Sequence, residues 1–407
     1  MTEPEGATEG STGGGEDAPG VRRAWGWALH LRGGGTTPWM SWTDNGPAGG
    51  RYLPGAQQLE LLRRLNLAGS PSPALVERVL SASAPGRGRP DLLLLGSVER
   101  PRFGPPPVDP ADLDEDELLR FAAGLLADDL VARGATRAGA PRPSPGWVRP
   151  WRRRSRLRGD PALVVPLRAE LVRQGRPPGG RAPTVLVVGT DHATMLSDAW
   201  THRCFGQGGP GWRRWLDGQV RRDRLPPRAD LLQLARQARR RHPRGRVVVV
   251  LDPAAAPRLL RAPRLSTRPL VVSADAADLA RRVSAALGLL VLPPERERLL
   301  RRVLRPRLAQ EPGAPAGLPE EHHAWAHRWA TRMRDDLLRA GYAVHGDPDA
   351  LLPRRQHAAE PSRAATLALS LRLLLEADGS RERGTGRGSD DETGPGGLHS
   401  EGQVRTR

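Results

Sequence analysis

Three short stretches bring together residue types that can do chemistry. GTDH, residues 189–192, follows the apolar run TVLVV and precedes a helix-forming segment. In an open parallel sheet, a polar turn at the carboxyl end of a strand faces the ligand crevice, which makes Thr190, Asp191 and His192 the best-placed polar groups of the chain. His192 is the acid/base of suitable intrinsic pKa among them. The same turn also has a plain structural use, because Thr190 or Asp191 can N-cap the helix that follows. The second stretch is RGGGTT, comprising Arg32, Gly33, Gly34, Gly35, Thr36 and Thr37 after the apolar AWGWALHL. Glycines let backbone N–H groups approach a phosphate, and threonine hydroxyls add hydrogen bonds. Pro38 follows directly and PWMSWTDNG carries no helical stripe, so a simple Gly-rich turn competes with the phosphate reading. The third is EEHHAWAH, in which His323 and His327 lie four apart on one helical face with Glu320 a turn before His323. Spacing marks no third ligand, so a solvated or packing face is expected and no metal is assigned. Trp325 and Trp329 on that helix are expected to pack on the core, and Cys204 is read as a structural thiol.

Composition limits which reactions these groups can support. The chain has 407 residues and a net charge of +18, with 38% hydrophobic residues, enough for a real core and for two or three domains. It contains no Lys and no Ile, Asn only at Asn45 and Asn66, and much Gly (47) and Pro (41). That is the mark of a GC-rich genome, in which Arg takes the place of Lys, so the basic balance reports codon usage first and nucleic-acid binding second. A specific nucleic-acid role is not expected on charge alone. The missing Lys excludes an orthodox Walker loop, Schiff-base chemistry and a lysine-dependent kinase. One cysteine allows no internal disulfide, no apolar run approaches the length of a membrane span, and the acidic, Gly-rich start is not a Sec-type signal. A cytoplasmic location follows as the expectation.

The elements that must position the chemistry alternate. Residues 1–20 and 378–407 read as disordered tails, poor in apolar groups. Residues 21–134 read as an N-terminal α/β segment: a strand at AWGWALHL, helices over 55–67 and 73–82, a buried strand DLLLLG, and a helix from DLDEDELLR that Asp114 and Glu117 cap and Gly134 stops. Residues 135–160, with seven arginines, prolines and no acid over 141–158, read as a Pro/Arg-rich linker or basic strap. Arginine runs at 152–154 and 239–241 can hold an anion by forked hydrogen bonds, although a charge run is more often a solvated face. Over 161–355 short, continuously apolar strands (184–189, 246–251) alternate with helices near 162–174, 192–203, 229–242, 275–288, 294–308 and 319–340, ending in the short strand or turn GYAVHGD. Residues 356–377 add a C-terminal helix. The pattern predicts a three-layer α/β fold, a mainly parallel sheet with helices on both faces.

Within this half, VLVVGTDHATMLSDAW, WRRWLDG, RVVVVLDP and LPEEHHAWAHRWATRMRDDLLRAGYAVHGDPDALLP together resemble actinobacterial sulfotransferase-like proteins over roughly residues 184–353. The resemblance implies a fold related to nucleotide kinases, a PAPS-type nucleotide donor and a saccharide or cell-envelope acceptor. Donor contacts would fall to Arg32, Gly33, Gly34, Gly35, Thr36, Thr37, Thr190 and Asp191, with His192 as base. The family's donor loop carries a lysine before its threonine pair, and an arginine precedes the residue matching Asp191. This chain has no lysine, and Thr190 stands in the arginine's place. A diverged group-transfer enzyme is therefore one expectation, and a non-catalytic scaffold or an anion- or nucleic-acid-binding partner protein is the other.

Overall fold

The structure, a computed structural model, describes residues 18–47, 53–83, 90–97, 103–138, 154–262, 264–354 and 359–385. The readings of residues 1–17, 139–153 and 386–407 lie outside the described residues. The chain forms two compact units. One draws on Met1–Ala82, Leu92–Ala111 and Leu371–Arg407, the other on Ser83–Asp91 and Asp112–Ser370.

The first unit is helical, which corrects the α/β reading of the N-terminal segment. Its helices are α1 (Pro19–Arg32), α2 (Ala56–Ala68) and α3 (Pro73–Leu80). AWGWALHL lies inside α1. Ala24, Trp27, Ala28 and Leu31 are its buried positions, a helical spacing that overrides the period-two pattern expected of a strand, while Leu29 is exposed. DLLLLG forms only an isolated bridge, Leu94 with Val108, rather than a strand of a sheet. Trp27 packs against Trp39 at 5.4 Å between ring centroids, and the Trp39 indole N–H donates to Leu95 O at 2.9 Å. Asp378, expected to begin the tail, is instead buried. Its carboxylate accepts from Ser72 N at 2.7 Å and from Ser72 Oγ at 2.6 Å, just ahead of α3.

The second unit carries the sheet. The long helix α4 (Glu115–Ala138) begins at Asp114, whose side chain accepts from Asp116 N. It does not stop at Gly134, which is buried inside it where Leu299 leaves no room for a Cβ. Strand β1 (Ser155–Gly159) follows, in what reads from the sequence as linker, then α5 (Pro161–Arg173), β2 (Thr184–Val188), α6 (His192–Cys204), α7 (Trp212–Arg221), α8 (Leu231–Arg241) and β3 (Arg246–Val250). The short α9 (Ala256–Leu259), then α10 (Ala274–Leu290) and α11 (Pro293–Leu299) lead through a π-helical segment, Leu300–Leu304, into α12 (Arg305–Leu308). Helix α13 (Glu320–Arg339), β4 (Ala343–His345) and α14 (Arg363–Thr385) complete the chain, α14 running past the expected end of the C-terminal helix.

The four strands are parallel in the order β1-β2-β3-β4. The sheet therefore takes its β1 edge from the stretch read as linker, and among the described residues all its strands come from the second unit. Leu157, Leu186, Val188, Val248 and Val250 point to one face, where Leu163, Val164, Leu167 and Leu171 of α5 and Ala256 and Leu260 cover them. The alternate residues, including Val185, Val187, Val247 and Val249, are also buried, and α8 packs on β1, β2 and β3. Helices on both faces give the expected α/β class with a parallel sheet.

A candidate anion-binding pocket

Each predicted site residue has a definite local use. Arg32 ends α1 and pairs with Glu77. The N–H groups of Gly33, Gly34 and Gly35 donate to Leu29, Leu31 and His30 carbonyls, closing the C-terminus of α1. At Gly35 a Cβ would lie 2.2 Å from His30 Nε2, so only glycine fits beneath that imidazole. Thr37 holds the loop through its carbonyl, which accepts from Trp27 Nε1, and its hydroxyl, 3.1 Å from His30 Nε2; Thr36 O accepts from Arg63. The loop thus follows a helix and not a strand, with its three glycine amides already occupied and the negative end of the helix dipole beside it. Thr190, Asp191 and His192 belong to the second unit, at the carboxyl end of β2 as expected. Asp191 caps α6 by accepting from Thr194 N at 3.1 Å. His192 is fully buried, its ring 6.4 Å from that of Trp325, and neither ring nitrogen has a hydrogen-bond partner. Burial lowers its pKa to about 4, which keeps it neutral.

The same N-capping use recurs along the carboxyl edge of the sheet. Asp160, Asp252 and Asp347 follow β1, β3 and β4 and accept from the N–H groups of Ala162, Ala254 and Asp349. Asp160 also meets the Asp198 carboxyl of α6. Burial, with the negative charge of Asp191, raises Asp160 to about 6 against the lowering effect of hydrogen bonds from Ala162 N and the Asp198 carboxyl, and burial with the charge of Asp160 holds Asp198 well above the carboxylate range. Two ionised carboxylates have no donor between them, so this contact exists only while the pair retains a proton.

A large cavity of about 720 Å³ opens on the second unit, between the C-terminal half of α6, α7, the loop leading into α8, and Arg301 of the π segment. Its lining combines apolar groups, Ala199, Trp215, Leu225 and Trp329, with the guanidinium groups of Arg203, Arg224, Arg228 and Arg301 and the amides of Gln207, Gln219 and Gln233. Its two acids are already engaged, Asp230 capping α8 through Gln233 N and Glu297 pairing with Arg301. Backbone strain fixes one wall: Asp223, with φ of 40°, accepts from the indole N–H of Trp329 at 2.8 Å and of Trp325 at 3.2 Å. The π turn places Arg301 where Nη2 donates to His202 Nε2 at 2.9 Å. Nε2 is then the acceptor, and the imidazole proton sits on Nδ1. Burial and the charges of Arg228, Arg301, Arg305 and Arg168 lower the His202 pKa to about 3, so the ring stays neutral. Arg305 beneath is itself lowered to about 10, chiefly by burial and then by Arg301, with Asp198 opposing the shift.

The histidine stretch serves structure. His322 Nε2 lies 2.9 Å from Asp217 Oδ1, His323 Nε2 donates to Leu318 O, and His327 is exposed. Among the described residues no group of three or more His, Cys, Asp or Glu side chains is placed to hold a metal ion. Cys204 is buried and its thiol pKa is pushed up by desolvation, as a structural thiol. No described helix is long and apolar enough to cross a membrane. Fold and pocket together define an α/β protein with an arginine-lined cleft beside a parallel sheet. No family model matches the chain, and no curated protein or solved structure resembles it significantly.

Sequence reasoning missed this pocket because its arginines come from three segments, α6, the loop before α8 and the π segment, spread over about a hundred residues. The one local signal is RLPPR, residues 224–228, whose two prolines fix the rim between two of the cations.

Proposed function

We propose that the protein binds a phosphorylated, ring-bearing small molecule of nucleotide size in the arginine pocket. The observation that carries this reading is that Arg203, Arg224, Arg228 and Arg301 line one cavity of about 720 Å³ together with Trp215 and Trp329. Arginine forks match phosphate oxygens, indole faces stack on planar rings, and a volume of this size suits a small organic ligand. Binding is favoured over acid/base catalysis, because the His202 Nε2 lone pair is taken up by Arg301. Titration with adenosine 5′-monophosphate, followed by calorimetry and tryptophan fluorescence, tests the reading. Saturable binding is expected, weakened at least tenfold by Arg301→Ala and by Trp329→Ala. Inorganic phosphate binding as tightly as the nucleotide would refute it.

Sulfuryl transfer from a nucleotide donor to a saccharide is the second reading. It is supported by the β2, Asp191, α6 arrangement of the sulfotransferase-like pattern. It requires α6 to open before His192 can meet a substrate, since that ring is fully buried. A thermal-shift titration with adenosine 3′,5′-bisphosphate separates the two. A shift abolished by Thr190 and Asp191 substitutions but indifferent to Arg301→Ala would favour transfer over the pocket.

A further inference from the structure

The pocket does not end at Arg228. Pro227 and Arg228 also line a second cavity of about 280 Å³ with Leu157, Arg158 and Arg168. Leu157, Arg158 and Arg168 in turn line a third, of about 180 Å³, with Arg156 and Pro178. The three cavities adjoin through these shared residues on the second unit, in line from the tryptophan pocket to β1, an edge strand of the sheet among the described residues. Arg156 and Arg158 alternate with the core residue Leu157, so both project to the face opposite the α5 layer. Two residues along a strand advance about 6.6 Å, on the scale of one nucleotide of an extended chain.

Arginine abundance from codon usage explains how many cations there are but not this placement. Several cations elsewhere are neutralised within their own helices, Arg63 and Arg64 by Glu60, Arg281 and Arg282 by Asp278, Arg298 by Glu295, while others without an acid, such as Arg23 and Arg176, donate to backbone carbonyls. Along the groove Arg156, Arg158, Arg203, Arg224 and Arg228 have no carboxylate partner among the described residues. Arg228 and Arg168 are close enough to other arginines for repulsion to add to burial in lowering both. Like charges gathered where the two neighbouring acids, Asp230 and Glu297, are already engaged make a surface that a chain of phosphates stabilises. The tryptophan end adds what a bare phosphate chain does not need, a stacking platform.

We propose that the groove binds a single-stranded nucleic acid, its terminal nucleotide in the tryptophan pocket and the next phosphates along Arg228, Arg158, Arg168 and Arg156; this rests on the pocket reading above. Fluorescence anisotropy with a labelled oligothymidylate of about 12 nucleotides, between about 50 and 200 mM salt, tests it. The wild type is expected to bind the oligomer at least tenfold more tightly than adenosine 5′-monophosphate. In Arg156→Gln/Arg158→Gln the salt slope is expected to fall by about 1.4, about 0.7 for each lost phosphate contact, with mononucleotide binding unchanged. Should the double variant fail to fold, Arg228→Gln on the joining loop replaces it, with a slope change of about 0.7 expected. A wild type that takes the mononucleotide but holds the oligomer no more tightly overturns the strand and leaves the pocket reading standing; binding of neither removes both. Inorganic polyphosphate competing at equal charge, with Trp329→Ala without effect on the oligomer, assigns the groove to a bare phosphate chain and overturns the proposal.

Discussion

His192 and His202 lie on one helix, ten residues apart, and differ in what surrounds them. His202 has Arg301 at Nε2 and faces a cavity, while His192 has no partner for either nitrogen. An unsatisfied buried polar group costs about 1–3 kcal/mol. His192→Leu, similar in volume and without polar atoms, is therefore expected to raise stability by about 1–2 kcal/mol at pH 7. The gain should be larger at pH 5. The folded His192 pKa of about 4 lies below the ordinary value of 6.5, so the unfolded chain binds the extra proton first and wild-type stability falls as pH drops between them. Urea midpoints at the two pH values measure it, and equal gains would show that the imidazole does not titrate in this way. From the sequence His192 is the best-placed polar side chain of the β2 turn. Its placement after the strand is legible there, but its burial under the Trp325 ring is not, since Trp325 arrives from a helix more than a hundred residues away.

Element boundaries divide along the same line. The helices of the second unit and strands β2 and β3 follow the apolar periodicity closely, because each has one dominant pattern and a clear cap, as Asp191 for α6, Asp230 for α8 and Ser273 for α10. Besides DLLLLG, which forms only a bridge, and α4, which runs past Gly134, three elements depart from expectation through a long-range contact. AWGWALHL becomes helical as Trp27 seeks Trp39; SRLRG becomes a strand because β2 offers it a full parallel register; and α14 continues past residue 377 because Asp378 is tied to Ser72. The last contact can be measured. Asp378→Ala leaves Ser72 N–H and hydroxyl without their acceptor, and is expected to lower stability by about 2–4 kcal/mol. Asp378→Asn, which retains one acceptor, should cost less. Equal losses in the two variants would deny the carboxylate its role.

Across the whole molecule, buried titratable groups set the pH response. The pair Asp160 and Asp198 retains a proton in the folded state that the unfolded chain gives up near the ordinary value of 3.8, so stability falls as pH rises, through about 6 for Asp160 and further for Asp198. His192 and His202 act in the opposite sense below 6.5. The two effects offset each other through mildly acidic pH; above about pH 6.5 the Asp198 penalty continues to grow, joined near the ordinary thiol value by that of the buried Cys204. Melting temperature is thus expected to decline as pH rises from 6.5 to 8, below the ordinary thiol value. Asp198→Asn, whose amide can donate to Asp160, should remove most of that decline; a wild-type profile flat across this range would show that the pair shares no proton.

Composition and periodicity by themselves determined that the chain folds, that it has no lysine chemistry, and that a parallel α/β sheet forms in its C-terminal half. These follow from short-range physics: residue chemistry, apolar period and capping. Pairs such as Arg64 with Glu60, Arg282 with Asp278 and Arg298 with Glu295 lie three or four residues apart on one helix and are local too; tertiary structure alone decided which arginines from distant segments gather around one pocket. It also closed the C-terminus of α1 with the Gly33 to Gly35 amides and gathered Arg203, Arg228 and Arg301 around His202, moving the candidate site from a recognisable loop to a surface that no single segment carries.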